Sequence, residues 1–435
     1  MAQNIALWGY GFNGKDTEAA IVRLYSDQLR ITAIFDSRFG ELQRSEYGTP
    51  VRDPAEIGDC YRQGLFDSVM ITVHDREQKS AISSLLAVQG IPVYEEAEEV
   101  SNRSLFRTPD HFPRGRAGFS WQGQAGYGFH VLRDMRMAFV RSSYTAFLFG
   151  EDGCILSSQW LNQHFWDDVP YLTLFVPPVE KETVFLPGEW CFLAKVWSAN
   201  YWHFTYESMD QMWLLEKSGY TGRYILPKTS YSPELIALLG IDPERISWRE
   251  DFDRDTVYQF ETLVCTELLR DDRRKSAPVL LEMSEHILSR LPPVEREFPR
   301  RVFVRRIGTR KLLLDEKSEA LLEKLGFETI VPEDLSVQEQ ILYFNRADIV
   351  FSPHGANSTN SLYMRPGTAF IEAFPYGYVN PCCIETSYRS GLYYLPVVEP
   401  QDRSRPIGPN APFRDYKLPP QLLEMTVLNA VRLTE

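Results

Sequence analysis

The sequence is short of positive charge, of patterned cysteine and of long apolar runs. Its 46 Lys+Arg stand against 59 Asp+Glu, a formal net charge of −13. Phosphate backbones and anionic membrane surfaces are repelled by such a chain unless a local basic patch prevails, so no nucleic-acid partner is expected. The 6 cysteines, Cys60, Cys154, Cys191, Cys265, Cys382 and Cys383, show no C-x-x-C spacing. That removes the zinc-site and disulfide-framework signatures. No run approaches the ~18 apolar residues of a membrane-spanning helix, and the opening MAQNIALWGYGFNGKDTEAA has neither a basic n-region nor a small-residue cleavage site. The expectation is a cytoplasmic chain with no transmembrane segment.

What is present is a long, well-stocked chain. With 435 residues and 44% hydrophobic content, it has room for two or three domains, each with its own core. Residues 1 to 100 alternate: NIALWGYG, ITAIFDS and FDSVMITV read as strands, DTEAAIVRLYSD and EQKSAISSLLAVQG as helices, IPVYE as a short strand. Residues 101 to 120, rich in Pro, Gly, Arg and Ser, read as a linker. From 121 to 280 the chain is aromatic-rich; GEWCFLAKVW and GRYILP suit strands, YWHFTYESMDQMWLLEKSG and SPELIALLG helices. Residues 281 to 400 again alternate, through RRVFVRR, DEKSEALLEKLG, FETIVP, SVQEQILYFNRA, DIVFSPHG, ANSTNSLYM and TAFIEAFP. Ser336 and Glu339 form an S-x-x-E capping box at one helix start. The fold class is α/β, doubly wound in its last third, and ligands in such sheets bind outside the carboxyl ends of the strands.

Four stretches can carry chemistry. Gly9, Gly11 and Gly14 have the G-x-G-x-x-G spacing of a nucleotide-binding turn, with Asp36 at the end of the next strand, roughly 20 residues on, where a ribose contact belongs. In SPHGANSTNS, His354 and Gly355 end a strand and Asn357, Ser358, Thr359 and Asn360 open a helix. This suits a diphosphate or polar sugar, or simply an Asn/Ser cap. Arg305, Arg306, Arg310 and Lys311 lie beyond another strand end, where guanidinium groups can neutralise a diphosphate, or where a solvated patch can sit. Glu372 lies on what reads as the final strand, placed to hold ribose hydroxyls or to face water at an edge. His203, Glu207 and Asp210 share a face of one helix; a carboxylate beside an imidazole fixes its tautomer for general-base work, although a lone His on an aromatic helix is often a core residue. Asp251, Asp253 and Asp255 form two D-x-D spacings that can hold Mg²⁺ or Mn²⁺, but no second acidic cluster is nearby and a solvated loop is the plainer reading.

In order and spacing, NYWHF, LPKTSYSPELIALLGIDPERI, VFVRRIGTRKLLLDE and LSVQEQILYFNRADIVFSPHGANSTNSLYMRPGTAFIEAFP resemble glycosyltransferase family 61, which includes bacterial capsular-polysaccharide proteins and eukaryotic xylosyltransferases. The resemblance implies a GT-B pair of Rossmann-like lobes, an acceptor lobe over 121–280 and a donor lobe over 281–400, with the 401–435 segment returning to the first. An N-terminal Rossmann-like domain is appended. It implies an inverting transfer without Mg or Mn, from a UDP-, GDP- or CMP-linked sugar to an oligosaccharide or polysaccharide acceptor. Polysaccharide machinery at the inner membrane, with homo-oligomer or assembly partners, is its expected setting. Carried over, Arg305, Arg306 and Arg310 match the family's basic positions, His354, Gly355, Ala356 and Asn360 its H-G-A-x-x-x-N loop, Glu372 its acid, and His203 its helix histidine. Asn357 and Asp315 depart from the usual pattern. His203 backed by Glu207 is the expected base, with Asp210 and Glu207 as rivals. Two other readings compete: an NAD(P)-dependent oxidoreductase built on residues 1 to 100, and a non-catalytic polysaccharide-assembly subunit.

Overall fold

The computed structural model describes residues 2–73, 76–94, 106–107, 116–121, 124–139, 146–156, 177–195, 197–266, 273–380, 382–401 and 413–435. The expected α/β class holds. The chain divides into two compact units, one of residues 1–196 with 249–267 and the other of 197–248 with 268–435.

In the first unit, β1 (Gln3–Trp8), α1 (Phe12–Leu24), β2 (Leu29–Phe35), β3 (Val51–Arg52) and β4 (Ser68–Ile71) build a four-stranded parallel sheet in the order β3-β2-β1-β4. This is the start of the 3-2-1-4 order of dinucleotide-binding sheets. Ala6, Ala33, Phe35, Val69 and Ile71 fill one face, and Ile5, Leu7, Ile34 and Met70 the other. Such two-sided burial is why these strands read as continuous apolar runs.

The rest of this unit is mixed. Thr183–Phe192 runs parallel to Val257–Thr266, which pairs antiparallel with Gln124–Arg133 and Arg136–Phe139. Arg116–Trp121 is antiparallel to Gln124–Arg133. The linker expected over 101–120 is therefore corrected: its described part contains two strands, Phe106–Arg107 and Arg116–Trp121. The remainder of that stretch lies outside the described residues.

The second unit is built on β5 (Arg301–Val304), α2 (Glu316–Lys324), β6 (Phe327–Ile330), α3 (Val337–Arg346), β7 (Ile349–Pro353), β8 (Ala369–Phe374), β9 (Tyr393–Val398) and α4 (Pro420–Thr434). Its sheet is parallel throughout, in the order β6-β5-β7-β8-β9. This is a doubly wound arrangement with its switch point between β5 and β7. Side chains alternate between the faces. Phe303, Ile349, Phe351, Ile371 and Ala373 face one side with Leu322, Leu423, Val427 and Ala430, while Val302, Val304, Val350 and Phe370 face the other with Tyr343, Phe344 and Trp202.

Local signals explain the boundaries. Ser336 accepts from the Glu339 amide while Glu339 bonds the Ser336 amide, completing the expected capping box. Asp315 caps α2 by accepting from the Ser318 amide at 2.8 Å, and Gly326 follows its end with φ 74°, a left-handed position that glycine takes without strain.

The C-terminal helix packs on the second unit's own sheet: Leu423, Val427 and Ala430 recur at helical spacing and bury against β5, β7 and β8. One expectation changes here. Glu372 is not on the last strand, because β9 follows β8 in the sheet. Pro396 interrupts the strand signal of YYLPVV, yet proline is tolerated on an edge strand, where no neighbour needs its missing N–H.

Candidate active site

Arg305, Arg306 and Arg310 follow β5, and His354 follows β7, so they stand at the carboxyl ends of the two strands that flank the switch point. The three arginines do not act alike. Arg305 is exposed and pairs with Glu319 on α2, with Nη2 3.2 Å from Oε1. Arg306 lies against the backbone of Gly355, where an added β-carbon would collide with its Nη1, and its Nε donates to the Thr309 carbonyl. Arg310 adopts φ 64° and places its guanidinium 4.8 Å from the centre of the Tyr378 ring. Burial pushes Arg306 below the usual arginine range, and the neighbouring Arg310 charge pushes it further down. Among the described residues neither Arg306 nor Arg310 forms an ion pair, and Arg310 Nε is buried without a hydrogen bond. Lys311, by contrast, is tied to Asp415 at 3.3 Å.

His354 is 4% exposed, stacked on Phe374 with ring centres 4.8 Å apart and tilted against Tyr378 at 5.7 Å. Its Nδ1 lies 2.7 Å from Glu372 Oε1, and the Tyr394 hydroxyl donates to Glu372 Oε2 at 2.6 Å. Burial, then the adjacent Glu372 charge, drives the Tyr394 hydroxyl far above the usual tyrosine range. Glu372 has no exposure. The ribose-holding role expected of it is corrected accordingly, since both oxygens are engaged beneath His354. Tyr394 and Tyr378 were not legible as site residues; the only signal for Tyr394 was a strand masked by Pro396.

The segment after His354 is helical as expected, in the form of a 3-10 helix, Ala356–Tyr363. Ala356 and Asn357 are partly exposed at its start. Asn360 is fully buried, accepts from the Tyr201 hydroxyl at 2.7 Å and donates to Gln340 at 3.3 Å. It is a strut between two elements of the unit, which corrects its expected donor-binding role.

Tyr201 begins the helix that carries His203. Asn200 caps it, accepting from the Trp202 amide at 3.0 Å, and the helix runs as Tyr201–Phe204, a π-helical turn over Thr205–Met209, then Asp210–Lys217. Such wider turns concentrate at functional sites. His203 Nδ1 lies 2.9 Å from Glu207 Oε2, and the imidazole is partly exposed while Glu207 is 7% exposed. The expected pair is thus present. Asp210 is fully buried and cannot meet an acceptor hydroxyl, so it drops out as a rival base. Trp197, absent from the sequence reading, is 55% exposed and holds φ 65°, a strained position for a bulky residue. Its ring is stacked on His203 with centres 6.5 Å apart.

The glycine turn of the first unit has the geometry its spacing implies. Gly9 has φ 99°; a side chain at Gly14 would collide with the Gly9 carbonyl, and one at Gly11 would meet open space. Asp36, however, accepts from the Tyr10 amide at 2.6 Å and from the Arg38 amide and side chain at 2.9 Å. Its carboxylate braces the turn, and the expected ribose contact yields to that role. Asp253 accepts from the Asp255 amide at 3.1 Å and the Thr256 hydroxyl at 2.6 Å, closing a turn. Among the described residues no group of three or more His, Cys, Asp or Glu is placed to hold a metal ion, and no helix is long and apolar enough to cross a membrane.

Residues 163–371 match the family model described as Glycosyltransferase 61. The span takes in the His203 helix, the arginine loop and the His354 loop, and ends one residue before Glu372. A rice (Oryza sativa subsp. japonica) protein named beta-1,2-xylosyltransferase XAX1 is 34% identical over 80 residues, which are 18% of this chain and 14% of the rice protein. The chain therefore matches about a seventh of that relative's length. Among solved structures, a metal-soaked flavodiiron core from Synechocystis sp. PCC6803 covers 99% of this chain and 86% of its own at 9% identity, with a TM-score of 0.20. So low a score carries no argument.

Proposed function

The chain carries a glycosyltransferase 61 domain over residues 163–371, and on that premise we propose that it transfers a sugar from a nucleotide-sugar donor to a hydroxyl of a glycan acceptor. One observation carries this reading. At the switch point of a parallel sheet, in a protein of net charge −13, Arg306 lies against Gly355 and Arg310 against Tyr378, both beside His354, and among the described residues no carboxylate is ion-paired to either. Two guanidinium groups without carboxylate partners suit an anion, and they match the oxygens of a diphosphate. Arg306 and Arg310 hold the departing phosphates and stabilise their growing charge, the part a metal ion plays elsewhere.

His203 is the base. Glu207 holds Nδ1, which leaves Nε2 to take the acceptor hydroxyl's proton as that oxygen attacks the anomeric carbon. Attack opposite the departing phosphate inverts the anomeric configuration. A role in capsule or surface-polysaccharide synthesis on the cytoplasmic side of a membrane, and a GT-B pairing of lobes, follow from the family resemblance. The β3-β2-β1-β4 order and the open space over Gly11 favour a nucleotide-holding role for residues 1–94 as an accessory.

The test is calorimetric titration with UDP, GDP and CMP. At least one is expected to bind, with affinity reduced about 10-fold or more in Arg306→Ala and Arg310→Ala, which is ~1.4 kcal/mol or more. Unchanged affinity in both variants rules the placement out.

A further inference from the structure

Two histidine–carboxylate pairs occupy the second unit, and they differ in setting. His203 is partly exposed, whereas His354 and Glu372 are buried, at 4% and 0% exposure. A buried ring nitrogen is ordinarily hydrogen-bonded. His354 Nδ1 meets that rule through Glu372, but Nε2 has no hydrogen-bond partner among the described residues. Arg310 Nε, whose guanidinium lies 4.8 Å from the Tyr378 ring centre, is buried and without a hydrogen bond among the described residues. His354 and the Arg310 guanidinium are both set against the Tyr378 ring.

The tautomer follows from the chain of hydrogen bonds. Glu372 accepts at Oε2 from the Tyr394 hydroxyl and at Oε1 from Nδ1–H, so Nε2 is the nitrogen left to gain or lose a proton. The charged and titratable groups that face the ring come from several elements. From β8 the ring meets Glu372 and Phe374; from β9, through Glu372, it meets Tyr394; from the loop after β8, Tyr378. From the loop after β5 come Arg306, against Gly355, and Arg310. Tyr416, whose hydroxyl donates to the Ala373 carbonyl, is itself pushed well above the tyrosine range by burial. Glu333 acts on Arg306 and Glu399 on Tyr416. Arg306 and Arg310 are the cationic groups on this side of the ring. Glu372 is the carboxylate hydrogen-bonded to the ring.

We infer that His354 is the proton carrier of the donor site: Nε2 takes up a proton from solvent as the nucleotide's phosphates enter and donates the resulting N–H to the departing phosphate oxygen, with Glu372 and Tyr394 as positioning residues. This rests on the donor reading above. In the transfer, the bond from the anomeric carbon to the phosphate oxygen breaks and its electron pair stays on that oxygen. The acceptor oxygen forms the new bond, and its proton passes to His203. The Nε2–H of His354 remains hydrogen-bonded to the phosphate and returns its proton to solvent when the nucleotide leaves.

Calorimetry of UDP, GDP and CMP binding, repeated in buffers of different ionisation enthalpy from pH 6 to 8.5, counts the protons taken up. Wild type is expected to take up a larger fraction of a proton than His354→Gln. Glu372→Gln is expected to lose most of the uptake, and Tyr394→Phe to keep it with the half-uptake pH moved upward, because the carboxylate loses a stabilising donor. A merely structural role for Tyr394 would weaken binding without moving that pH. Equal uptake in wild type and His354→Gln, or an unmoved profile in Tyr394→Phe, overturns the inference while leaving the donor site standing. No binding of any nucleotide to wild type removes both.

Discussion

The Arg306 guanidinium occupies the space that a side chain would take at Gly355. Gly355 has φ 172°, an extended backbone open to any residue, so the glycine is required by this contact and not by its conformation. Gly355→Ala is expected to displace Arg306 and weaken nucleotide binding about 10-fold, with the melting temperature little changed. In an Arg306→Ala background the same substitution is expected to add little, because contacting residues are not additive. Full additivity in the calorimetric double-mutant cycle would refute the coupling.

The adjacent arginines are expected to separate cleanly. Arg305 is solvent-exposed and already paired with Glu319, and surface pairs contribute on the order of 0–1 kcal/mol. Arg305→Ala should therefore leave nucleotide affinity within about 2-fold, against the 10-fold or larger loss for Arg310→Ala. The reverse ranking, read by titration, would place the phosphates on the other side of the loop.

His203→Ala is expected to abolish transfer while preserving nucleotide binding. Loss of a positioned general base lowers turnover by roughly 10²–10⁴-fold. Near-normal turnover removes His203 from that role. Glu207→Gln, which keeps a hydrogen-bonding partner for Nδ1 but loses the charge, should fall between.

How far these residues could be foreseen follows from which signals are local. The β5 and β7 strands, the Ser336 capping box and the adjacency of the arginine and His354 loops were legible, because apolar runs alternating with helical periods imply a doubly wound sheet whose strand ends converge. Chain adjacency could not tell Arg305 from Arg306; their separation depends on Glu319 and Gly355, one on a helix and one on a loop. Asn360 looked like a ligand because its partner Tyr201 lies 159 positions away in the chain. Tyr394 was hidden by Pro396, and no composition signal marks the π-turn beneath His203.

Acid should weaken the first unit through Asp36. Burial alone would raise its carboxyl, but hydrogen bonds from the Arg38 side chain and the Tyr10 amide prevail and hold it below the ordinary carboxylate value. A depressed carboxyl contributes stability that is fully present above the unfolded-state value, about 3.9, and is lost as pH falls through the lower folded-state value. Asp36→Asn is expected to lower the wild-type melting temperature at pH 7 and to narrow the difference below about pH 4. A difference that stays constant with pH would show that the charge is not what matters.

The central claim is that phosphates of a sugar donor are held between Arg306, Arg310 and His354. Its most direct test is to incubate the protein with a panel of UDP-, GDP- and CMP-linked sugars, with NADH as a control, and follow nucleotide release. The account predicts slow release of nucleotide from one donor class, lost in Arg310→Ala and unaffected by Gly11→Ala in the first unit. Release from no donor, together with a cofactor fluorescence change on NADH binding, would contradict it.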